Sequence, residues 1–320
     1  MQRIGVVTAG GDAPGMNAAI RSIVRTATFN GLEVMGIERG YMGLIEGQIR
    51  PLSTRSVSGI INLGGTILKT ARCEEMKSSR GIQKAANVLK THRIEGLIVI
   101  GGDGSFRGAS ELRRASGLPV IGVPATIDND VAGTDATIGF DTAVNAALFA
   151  IDRIRDTATS HERIFVVEVM GSKRGFLALE VGLAGGAEFI LVPEIKYNLQ
   201  DICQKLREGR GKGKTSEIIV MAEGAGNPAF IVDQIRKETG YEVRLTVLGH
   251  IQRGGPPTAR SRILANLFGA YAVEQLLKGA EKRMVGIKGQ KIISVDLDYS
   301  WKQRRELDTR LYRLAEILSA

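Results

Sequence analysis

The sequence predicts an α/β protein with mostly parallel sheets and crossover helices. Short apolar runs rich in Val, Ile and Leu alternate with segments of helical period along almost the whole chain. A length of 320 residues suits two domains better than one, and a hydrophobic share of 43% provides for substantial buried cores. Several of the apolar runs end directly in glycine, which is where open α/β sheets bind their ligands.

The strand candidates are nearly continuous apolar runs, as is typical of parallel strands covered on both faces. They are Ile4–Thr8, Val34–Ile37, Gly96–Ile100, Val120–Val123, Ile164–Met170, Phe189–Val192, Glu217–Ala222 and Val243–Leu248. The helix candidates repeat apolar residues at helical spacing. They are Met16–Thr28, Ile82–Lys90 and Thr142–Thr157. The glycine-rich stretch Gly209–Lys214 predicts a surface loop within a domain.

The chain is basic, with 43 Lys and Arg against 34 Asp and Glu and a net charge of +9. This excess has three readings: an ordinary basic surface, a site for small anionic ligands, or a nucleic-acid surface. No long block of Lys and Arg occurs, and aromatic residues make up only 5% of the chain. Nucleic acid is therefore the weakest of the three readings.

Cysteine usage and the first residues of the chain indicate a cytoplasmic protein. Cys73 and Cys203 are the only cysteines and form no CxxC pair, so neither a disulfide framework nor a zinc site is predicted. Met1–Gly5 leads directly into a strand-like run and not into a signal peptide. No apolar run approaches the roughly 18 residues that a membrane span needs.

One glycine motif, Ile100–Ser105, reads Ile-Gly-Gly-Asp-Gly-Ser after a strand candidate. Glycines there let backbone N–H groups face a phosphate, and the dipole of the following helix favours the negative charge. Because Asp103 would repel a bare phosphate, the motif predicts Mg²⁺ between this carboxylate and the phosphates. An ordinary turn in which Asp103 caps the helix is the alternative. The sequence contains no Walker A lysine motif and no protein-kinase catalytic loop.

Two further strand candidates end in polar motifs. Thr8–Asn17 reads Thr-Ala-Gly-Gly-Asp-Ala-Pro-Gly-Met-Asn, and Pro124–Asp130 reads Pro-Ala-Thr-Ile-Asp-Asn-Asp. A sugar hydroxyl becomes a good nucleophile when a carboxylate takes its proton, so the second of these motifs predicts a general base. Asp128 and Asp130, one residue apart on an extended segment, would point the same way. A polar Asp-Asn-Asp turn is the alternative.

In this order and at these separations, the three motifs resemble the phosphofructokinase family, in particular its bacterial ATP-dependent members. Further matching segments are Gly64–Thr66, Thr70–Arg72, Thr157–Arg163, Val169–Gly171, Ala222–Gly224 and Leu248–Gly255. The resemblance covers nearly the whole chain and implies two Rossmann-like three-layer α/β/α domains with an active-site cleft between them. The implied larger, ATP- and Mg-binding domain is 1–138 plus 251–301, and the smaller, fructose 6-phosphate-binding domain is 139–250 plus 302–320.

The resemblance also implies a glycolytic kinase that uses ATP and Mg²⁺ to phosphorylate the 1-hydroxyl of fructose 6-phosphate. Asp128 is then the base, and Thr126 and Asp130 orient substrate and metal. Asp103 holds Mg²⁺, and Arg72 neutralises charge on the transferring group, a catalytic role that Gly11 shares. The residues implied to line the nucleotide path are Gly11, Arg72, Cys73, Gly102, Asp103, Gly104 and Ser105.

The same resemblance implies a second set of residues for the sugar phosphate. Those expected to meet its 6-phosphate are Arg163, Arg244, His250 and Arg253. Arginine suits this task because its fork matches phosphate oxygens. Those expected to contact the sugar body are Met170, Gly171, Ser172 and Glu223.

Three positions bear on alternatives to this reading. Pyrophosphate-dependent family members carry Asp where this chain has Gly104 and Lys where it has Ala125, so the two small residues favour ATP. Ser172 stands where the family has arginine. Either Lys173 or Arg174 supplies the positive charge that this arginine provides in relatives; otherwise we expect slower turnover. A non-catalytic sensor of nucleotide or sugar phosphate is the remaining alternative.

Bacterial relatives are homotetramers that ADP activates and phosphoenolpyruvate inhibits at a site between subunits. The matching positions are Arg21, Arg25, Arg155, Gly185, Glu188, Lys212 and Lys214. A basic cluster suits phosphorylated effectors and accounts for part of the charge excess. Gly59, where many relatives have Asp, departs from the pattern.

Overall fold

The computed structural model describes residues 1–319, whose contacts divide the chain into two units. The first unit comprises Met1–Thr142 and Arg253–Arg305, and the second comprises Ala143–Gln252 and the chain from Glu306 onward. The predicted boundaries, after residues 138, 250 and 301, lie two to four residues earlier in the chain. The assignment of ATP to one unit and of the sugar phosphate to the other stays a prediction.

Strands and helices alternate along the chain as the apolar pattern predicts. To residue 160 the elements are β1 (Arg3–Thr8), α1 (Met16–Phe29), β2 (Glu33–Ile37), α2 (Gly40–Glu46), β3 (Ile49–Leu52), α3 (Ser79–Thr91), β4 (Gly96–Gly101), α4 (Asp103–Ser116), β5 (Val120–Thr126), β6 (Ile138–Gly139) and α5 (Phe140–Ser160). From residue 164 they are β7 (Ile164–Val169), α6 (Phe176–Ala184), β8 (Phe189–Leu191), α7 (Leu199–Gly211), β9 (Glu217–Ala222), α8 (Pro228–Thr239), β10 (Val243–Val247), α9 (Ala259–Leu277), β11 (Lys282–Lys288), β12 (Lys291–Asp296), α10 (Tyr299–Lys302) and α11 (Thr309–Leu318). Short 3₁₀ helices cover Glu74–Lys77, Glu223–Ala225 and Gly249–Arg253.

The sheet of the first unit runs in the order β12-β11-β5-β4-β1-β2-β3, with β6 paired beside β5. Strands from β11 to β2 are parallel to their neighbours, whereas β12 and β3 add antiparallel edges. Every residue of β4 is buried. Its alternating side chains, such as Leu97 and Ile98, are fully buried on both faces, which is why the strand reads as one apolar run.

Helix α4 is held on this sheet by a buried stripe of side chains. Phe106, Ala109 and Leu112 recur every three residues and are fully buried. They belong to one core cluster with Leu97 and Val99 of β4. Full burial of one such large side chain contributes about 1.5–3 kcal/mol. This packing fixes where α4 begins, directly after the end of β4.

The sheet of the second unit has the order β10-β7-β9-β8, and each neighbouring pair is parallel. Its core joins Val166 of β7 and Ile219 of β9 to Ile202 and Leu206 of α7. β9 is a central strand, and every residue in it is buried. β10 is an edge strand, and most of its side chains are exposed.

The predicted α/β class with parallel sheets is confirmed, and every predicted strand and helix overlaps an observed one. The antiparallel edges β3 and β12 escaped the sequence pattern because they are only partly buried and carry Arg, Pro, Lys and Ser. The predicted loop Gly209–Lys214 is wrong in its first half, since α7 continues to Gly211. Arg210 holds this last turn by donating a hydrogen bond to the Glu162 carbonyl.

Two further expectations concern compartment and membrane. Cys73 and Cys203 are both free thiols, and Cys203 is buried. Among residues 1–319, none of the helices combines the length and the apolar character that crossing a bilayer requires.

Asp298 ties the chain after β12 to α4. Its carboxylate accepts hydrogen bonds from Ser110 Oγ at 2.6 Å and Lys302 Nζ at 2.7 Å, and Lys282 Nζ lies 3.3 Å away. Burial by itself would raise the pKa of Asp298, but hydrogen bonds from Lys302, Ser110 and Lys282 outweigh it and hold the pKa at about 2. A lowered pKa means that the ionised carboxylate stabilises the fold above the unfolded-state pKa of about 4.

We expect Asp298→Asn to lower the free energy of unfolding by on the order of 2 kcal/mol at neutral pH, because it removes the charge that the two lysines pair with. The loss should shrink as the pH falls from about 4 towards 2, where the parent carboxylate also takes up its proton. Urea unfolding of parent and variant across this range measures the difference.

Asp233→Asn is the matched control, because Asp233 forms an exposed pair with Arg236. It should change the free energy of unfolding by less than about 0.5 kcal/mol. A loss for Asp298→Asn that is the same at neutral and acidic pH would contradict the role of the charge.

Candidate functional site

The three glycine and aspartate motifs of the first unit meet at one edge of its sheet. β1, β4 and β5 are neighbours and parallel, so their carboxyl ends lie on the same side. The loops that follow them carry Gly10–Gly15, Gly102–Ser105 and Ile127–Asp130. Ligands bind at this edge of open α/β sheets. The structure therefore brings together motifs that are more than 100 residues apart in sequence.

The first two loops are packed against each other without space for an added side chain. Ala9 N donates to the Ile100 carbonyl at 2.9 Å, and Ser105 Oγ donates to the Ala9 carbonyl at 2.8 Å. A Cβ atom at Gly101 would lie 2.4 Å from the Ala9 carbonyl oxygen. Only glycine therefore allows the two strand ends to approach this closely.

Helix α4 begins at Asp103, with Gly102 in extended conformation as its N-cap. Asp103 is thus the first helical residue, and its Oδ1 accepts a hydrogen bond from Gly104 N at 2.5 Å. Asp103 and Gly104 are both exposed. The buried hydroxyl of Tyr41 donates a hydrogen bond to the Ser105 carbonyl at 2.6 Å, and burial raises the pKa of this tyrosine. The helix start therefore presents N–H groups and one carboxylate to solvent.

A metal ion would need ligands from outside the protein at this edge. Within residues 1–319, His, Cys, Asp and Glu side chains form no group of three that could hold a metal. Mg²⁺ is usually held by one or two carboxylates together with phosphate oxygens and water. The exposed Asp103 fits that pattern when nucleotide phosphates are present.

The segment before Cys73 is anchored on the end of β1. Thr8 Oγ1 donates to the Lys69 carbonyl at 2.8 Å, and Thr70 Oγ1 donates to the Gly10 carbonyl at 2.8 Å. Arg72 follows, exposed, and among the described residues its side chain has no hydrogen-bond or ion-pair partner. Cys73 is half-buried and packs against the core. A guanidinium is therefore available beside the first glycine loop.

The loop after β5 is not extended as predicted. Asn129 has a φ of 52°, in the left-handed region, so the alternation that would align Asp128 with Asp130 does not apply. Asp128 N donates to Thr126 Oγ1 at 3.2 Å, and both aspartates are half-buried. The expected extended conformation is therefore wrong at Asn129, where the segment bends and still exposes part of each carboxylate, and the role of Asp128 as general base stays a prediction.

Arg253 lies in the first unit against the first glycine loop. Its Nη2 lies 3.0 Å from Asp12 Oδ1 and also bonds the Asp12 carbonyl. A Cβ atom at Gly11 would lie 2.7 Å from the same nitrogen. The other three residues predicted for the 6-phosphate, Arg163, Arg244 and His250, belong to the second unit.

In the second unit, Arg163 and Arg244 share one carboxylate. Arg163 Nε lies 2.8 Å from Glu242 Oε2, and Arg244 pairs with Glu242 Oε1. The hydrogen bond from Arg163, supported by one from Arg244, lowers the pKa of Glu242. Two guanidinium groups are thus gathered at one point, where arginine forks can bind a dianion. Sequence reasoning missed Glu242, which directly precedes β10 and lies two residues before Arg244.

Glu223 and the loop after β7 form a second polar group in this unit. Ser172 N donates to Glu223 Oε1 at 2.6 Å, and Ser172 has a φ of 55°. Met170 N donates to Oε1 of the buried Gln252 at 2.8 Å. Burial, together with the charge of Glu223, raises the pKa of the neighbouring Glu168. This loop is thus set by hydrogen bonds to its backbone.

Lys173, Arg174 and His250 differ in exposure and in whether an acidic side chain lies near them. Arg174 Nη1 lies 4.0 Å from Glu194, whereas Lys173 is exposed and has no side-chain partner among the described residues. His250 is exposed in the 3₁₀ helix Gly249–Arg253. Of the two candidates to replace the arginine expected at position 172, Lys173 is therefore the one whose charge has no partner among the described residues.

A cavity of about 500 Å³ lies within the second unit between β8, α7 and α11. Glu188, Lys212 and Lys214 of the predicted effector set line it, and Lys214 Nζ bonds the Ser319 carbonyl at 2.6 Å. The buried Glu217 also faces it, and burial raises the pKa of this carboxyl despite Arg210 at 3.8 Å.

The remaining members of the effector set lie elsewhere. Arg155 donates to the carbonyl oxygens of Gly185 and Gly186 in the second unit. Arg21 and Arg25 lie on α1 of the first unit.

Comparisons with known proteins match the chain to one family over most of its length. Residues 3–276 match the family described as Phosphofructokinase. The chain is 54% identical over 331 residues to the ATP-dependent 6-phosphofructokinase of Halothermothrix orenii. It is also 54% identical over 319 residues to the ATP-dependent 6-phosphofructokinase of Clostridium botulinum strain Hall. Each match covers 100% of both chains.

A solved structure is similar over the same extent. Phosphofructokinase from Pichia pastoris in the T-state has a TM-score of 0.90 and 34% identity to this chain. The match covers 99% of this chain and 37% of that one, so this chain spans well under half the length of the yeast protein.

Proposed function

The chain belongs to the phosphofructokinase family, and on that premise we propose that it is an ATP-dependent 6-phosphofructokinase. It transfers the γ-phosphoryl group of ATP to the 1-hydroxyl of fructose 6-phosphate and yields fructose 1,6-bisphosphate and ADP. The observation that carries the proposal is the meeting of three loops at one sheet edge, which combines a helix N-terminus with Asp103 and Asp128. Phosphoryl transfer needs this combination of anion-binding N–H groups, metal ligand and proton acceptor.

We assign the ATP phosphates to the start of α4. The N–H groups and the dipole of its first turn favour anions, and the glycine loops line the nucleotide path with Ser105 and Cys73. Asp103 would hold Mg²⁺, which when bound neutralises charge on the phosphate oxygens. Gly11 permits close approach of the backbone, and the unpaired Arg72 stabilises charge that develops on the transferring group.

Asp128 acts as the general base in this proposal. It takes the proton of the sugar 1-hydroxyl as that oxygen attacks phosphorus, which leaves the product phosphate ester and a protonated carboxyl. Thr126 and Asp130 flank it and orient the substrate. The polar turn around Asn129 supports this role, because it holds both aspartates half-buried with access to a ligand.

The sugar 6-phosphate binds Arg163 and Arg244, together with His250 of the same unit. Glu242 holds the first two guanidinium groups in the structure, so the phosphate takes over hydrogen bonds that Glu242 makes. A phosphate dianion competes well because it brings three acceptor oxygens. For the sugar body, the contacts we assign are Met170, Gly171, Ser172 and Glu223.

ATP is the favoured donor in this proposal. Gly104 is exposed at the start of α4, and a Cβ atom there would meet nothing within 4 Å, so the protein leaves open space beside it. Ala125 is buried, and no lysine stands at that position to neutralise a pyrophosphate. The absence of a side chain at position 104 and of a lysine at position 125 supports ATP over pyrophosphate.

We expect Asp128→Asn to lower kcat by about 10²–10⁴-fold, because the amide cannot accept the hydroxyl proton. KM should change by no more than about threefold, since the side chain keeps its size. A coupled assay with fructose 6-phosphate and Mg²⁺, run with ATP and separately with pyrophosphate, measures both effects.

Asp233→Asn, at an exposed position on α8, is the control and should keep the parental kcat. Turnover with pyrophosphate only would refute ATP as donor, and parental kcat in Asp128→Asn would refute the base. Ligand binding without turnover with either donor would identify a sensor instead of a kinase.

Ser172→Arg should raise kcat by about two- to tenfold, because it adds a cation where phosphate charge develops. Ser172→Ala is the matched control, since only the backbone N–H of Ser172 bonds Glu223 and the hydroxyl makes no hydrogen bond among the described residues. Equal kcat values for Ser172→Arg and Ser172→Ala would show that charge at this position does not limit turnover.

We further propose a cytoplasmic homotetramer that ADP activates and phosphoenolpyruvate inhibits. The two free cysteines support a reducing compartment. Four lysines line the cavity of the second unit, beside five acidic side chains, and support a phosphorylated effector, because ammonium groups bind phosphate as point charges.

Lys212→Ala should weaken activation by ADP at least about tenfold while kcat at saturating substrate is kept, because Lys212 lines the cavity and is exposed. Fructose 6-phosphate saturation curves at rising ADP concentration measure this shift. Lys237→Ala, exposed on α8, is the control and should respond like the parent. A parental saturation curve that neither ADP nor phosphoenolpyruvate moves would refute the regulation.

A further inference from the structure

Arg305 binds the loop that carries Asp128 and Asp130, although the proposed chemistry assigns it no role. Its Nη1 donates to the Asn129 carbonyl at 2.7 Å, and its Nη2 donates to the Asp135 carbonyl at 2.8 Å. These contacts reach across 176 and 170 residues of sequence. Arg305 is half-buried at the last position of the first unit.

The two carbonyl groups belong to opposite sides of the loop that leaves β5 at Thr126 and returns at β6. A guanidinium is planar and presents its N–H donors in a rigid fork. One such group bonded to both carbonyls fixes their separation, whereas a lysine could contact them only as a point charge. Arg305 thus closes the loop.

Asn129 is the residue through which this closure can act on the aspartates. Its φ of 52° lies in the left-handed region, which asparagine adopts more readily than most other non-glycine residues, and hydrogen bonds to its side chain and to its carbonyl hold it there. Its Oδ1 accepts from Thr137 N at 3.1 Å, and its carbonyl accepts from Arg305. Because Asn129 stands between Asp128 and Asp130, its backbone angles set the relative directions of the two carboxylates.

The other side of the loop has independent support. Asp135 N donates to the Ile287 carbonyl at 2.8 Å, and Gly289 N donates to Asp135 Oδ2 at 2.6 Å. Thr137 Oγ1 donates to the Thr126 carbonyl at 2.7 Å. Loss of Arg305 would therefore leave the Asp135 side bound to β11 and take the donor from the Asn129 carbonyl, while the Asn129 side chain keeps its bonds to Thr137 and to the Asp135 carbonyl.

We propose that Arg305 is a positioning residue for phosphoryl transfer, which holds Asp128 and Asp130 in their working directions by fixing the Asn129 carbonyl. This inference rests on the proposed function. Arg305 acts through the loop and not through contact with substrate. Its replacement should therefore lower kcat more than it raises KM.

The test compares Arg305→Ala with Arg304→Ala in the full chain. Arg304 is the adjacent arginine, is exposed, and has no side-chain partner among the described residues. Arg305→Ala should lower kcat at least about tenfold, because small misplacements of a reacting group are costly. KM for both substrates should stay within about threefold of the parent, and Arg304→Ala should match the parent throughout.

Chemical rescue separates positioning from general destabilisation. Added guanidinium at non-denaturing concentration should restore part of the kcat of Arg305→Ala, whereas ethylammonium should not, since only the planar ion bridges both carbonyls. Arg305→Lys keeps the charge and carries the test if Arg305→Ala does not fold. It should also lose kcat with KM retained, because lysine lacks the fork.

Parental activity is measured first, so that a parent that does not phosphorylate fructose 6-phosphate refutes the proposed function and not this inference alone. With an active parent, equal kcat values for Arg305→Ala and Arg304→Ala overturn the inference. A parental kcat in Arg305→Lys also overturns it. So does a raised KM with an unchanged kcat in Arg305→Ala.

Discussion

The close approach of the ends of β1 and β4 is the constraint on which the candidate site of the first unit depends. It requires the absence of a side chain at Gly101 and is locked by the bond from Ser105 Oγ to the Ala9 carbonyl. The same contact fixes the first turn of α4, and with it the exposed position of Asp103. Thr70 then attaches the segment of Arg72 to the neighbouring carbonyl of Gly10. The phosphate site that we propose is thereby assembled from backbone groups that no single segment could arrange.

Some of the arginines that make the chain basic have a structural role. Several donate to backbone carbonyl oxygens where loops turn or helices end, which satisfies acceptors that secondary structure leaves unpaired. These are Arg155 on Gly185, Arg207 on Glu238, Arg210 on Glu162, Arg253 on Asp12 and Arg305 on Asn129. Part of the excess charge therefore holds loops in place, while exposed cations such as Arg72 remain available to ligands.

The family and the parallel α/β class were predictable from the sequence, and both are confirmed. Buried parallel strands must be apolar on both faces, so β1 and β4 are recognisable in the sequence as short, nearly continuous apolar runs. Edge elements are different, because β3 and β12 face solvent on part of their surface and keep polar residues. The sequence left two conformations open at Asn129, since a short run such as Asp-Asn-Asp suits an extended segment and a turn equally well.

By itself, the sequence determined where strands give way to loops and predicted which residues there carry chemistry, because burial and backbone freedom leave local marks such as apolar runs and glycines. Only the tertiary structure decided which partners those residues have. Glu242 between Arg163 and Arg244, and Arg305 on the Asp128 loop, are contacts set by strand pairing and by chain packing over long separations. A charged side chain reads the same in a sequence whether it meets solvent, a carboxylate or a backbone carbonyl, so its partner is known only once the chain has folded.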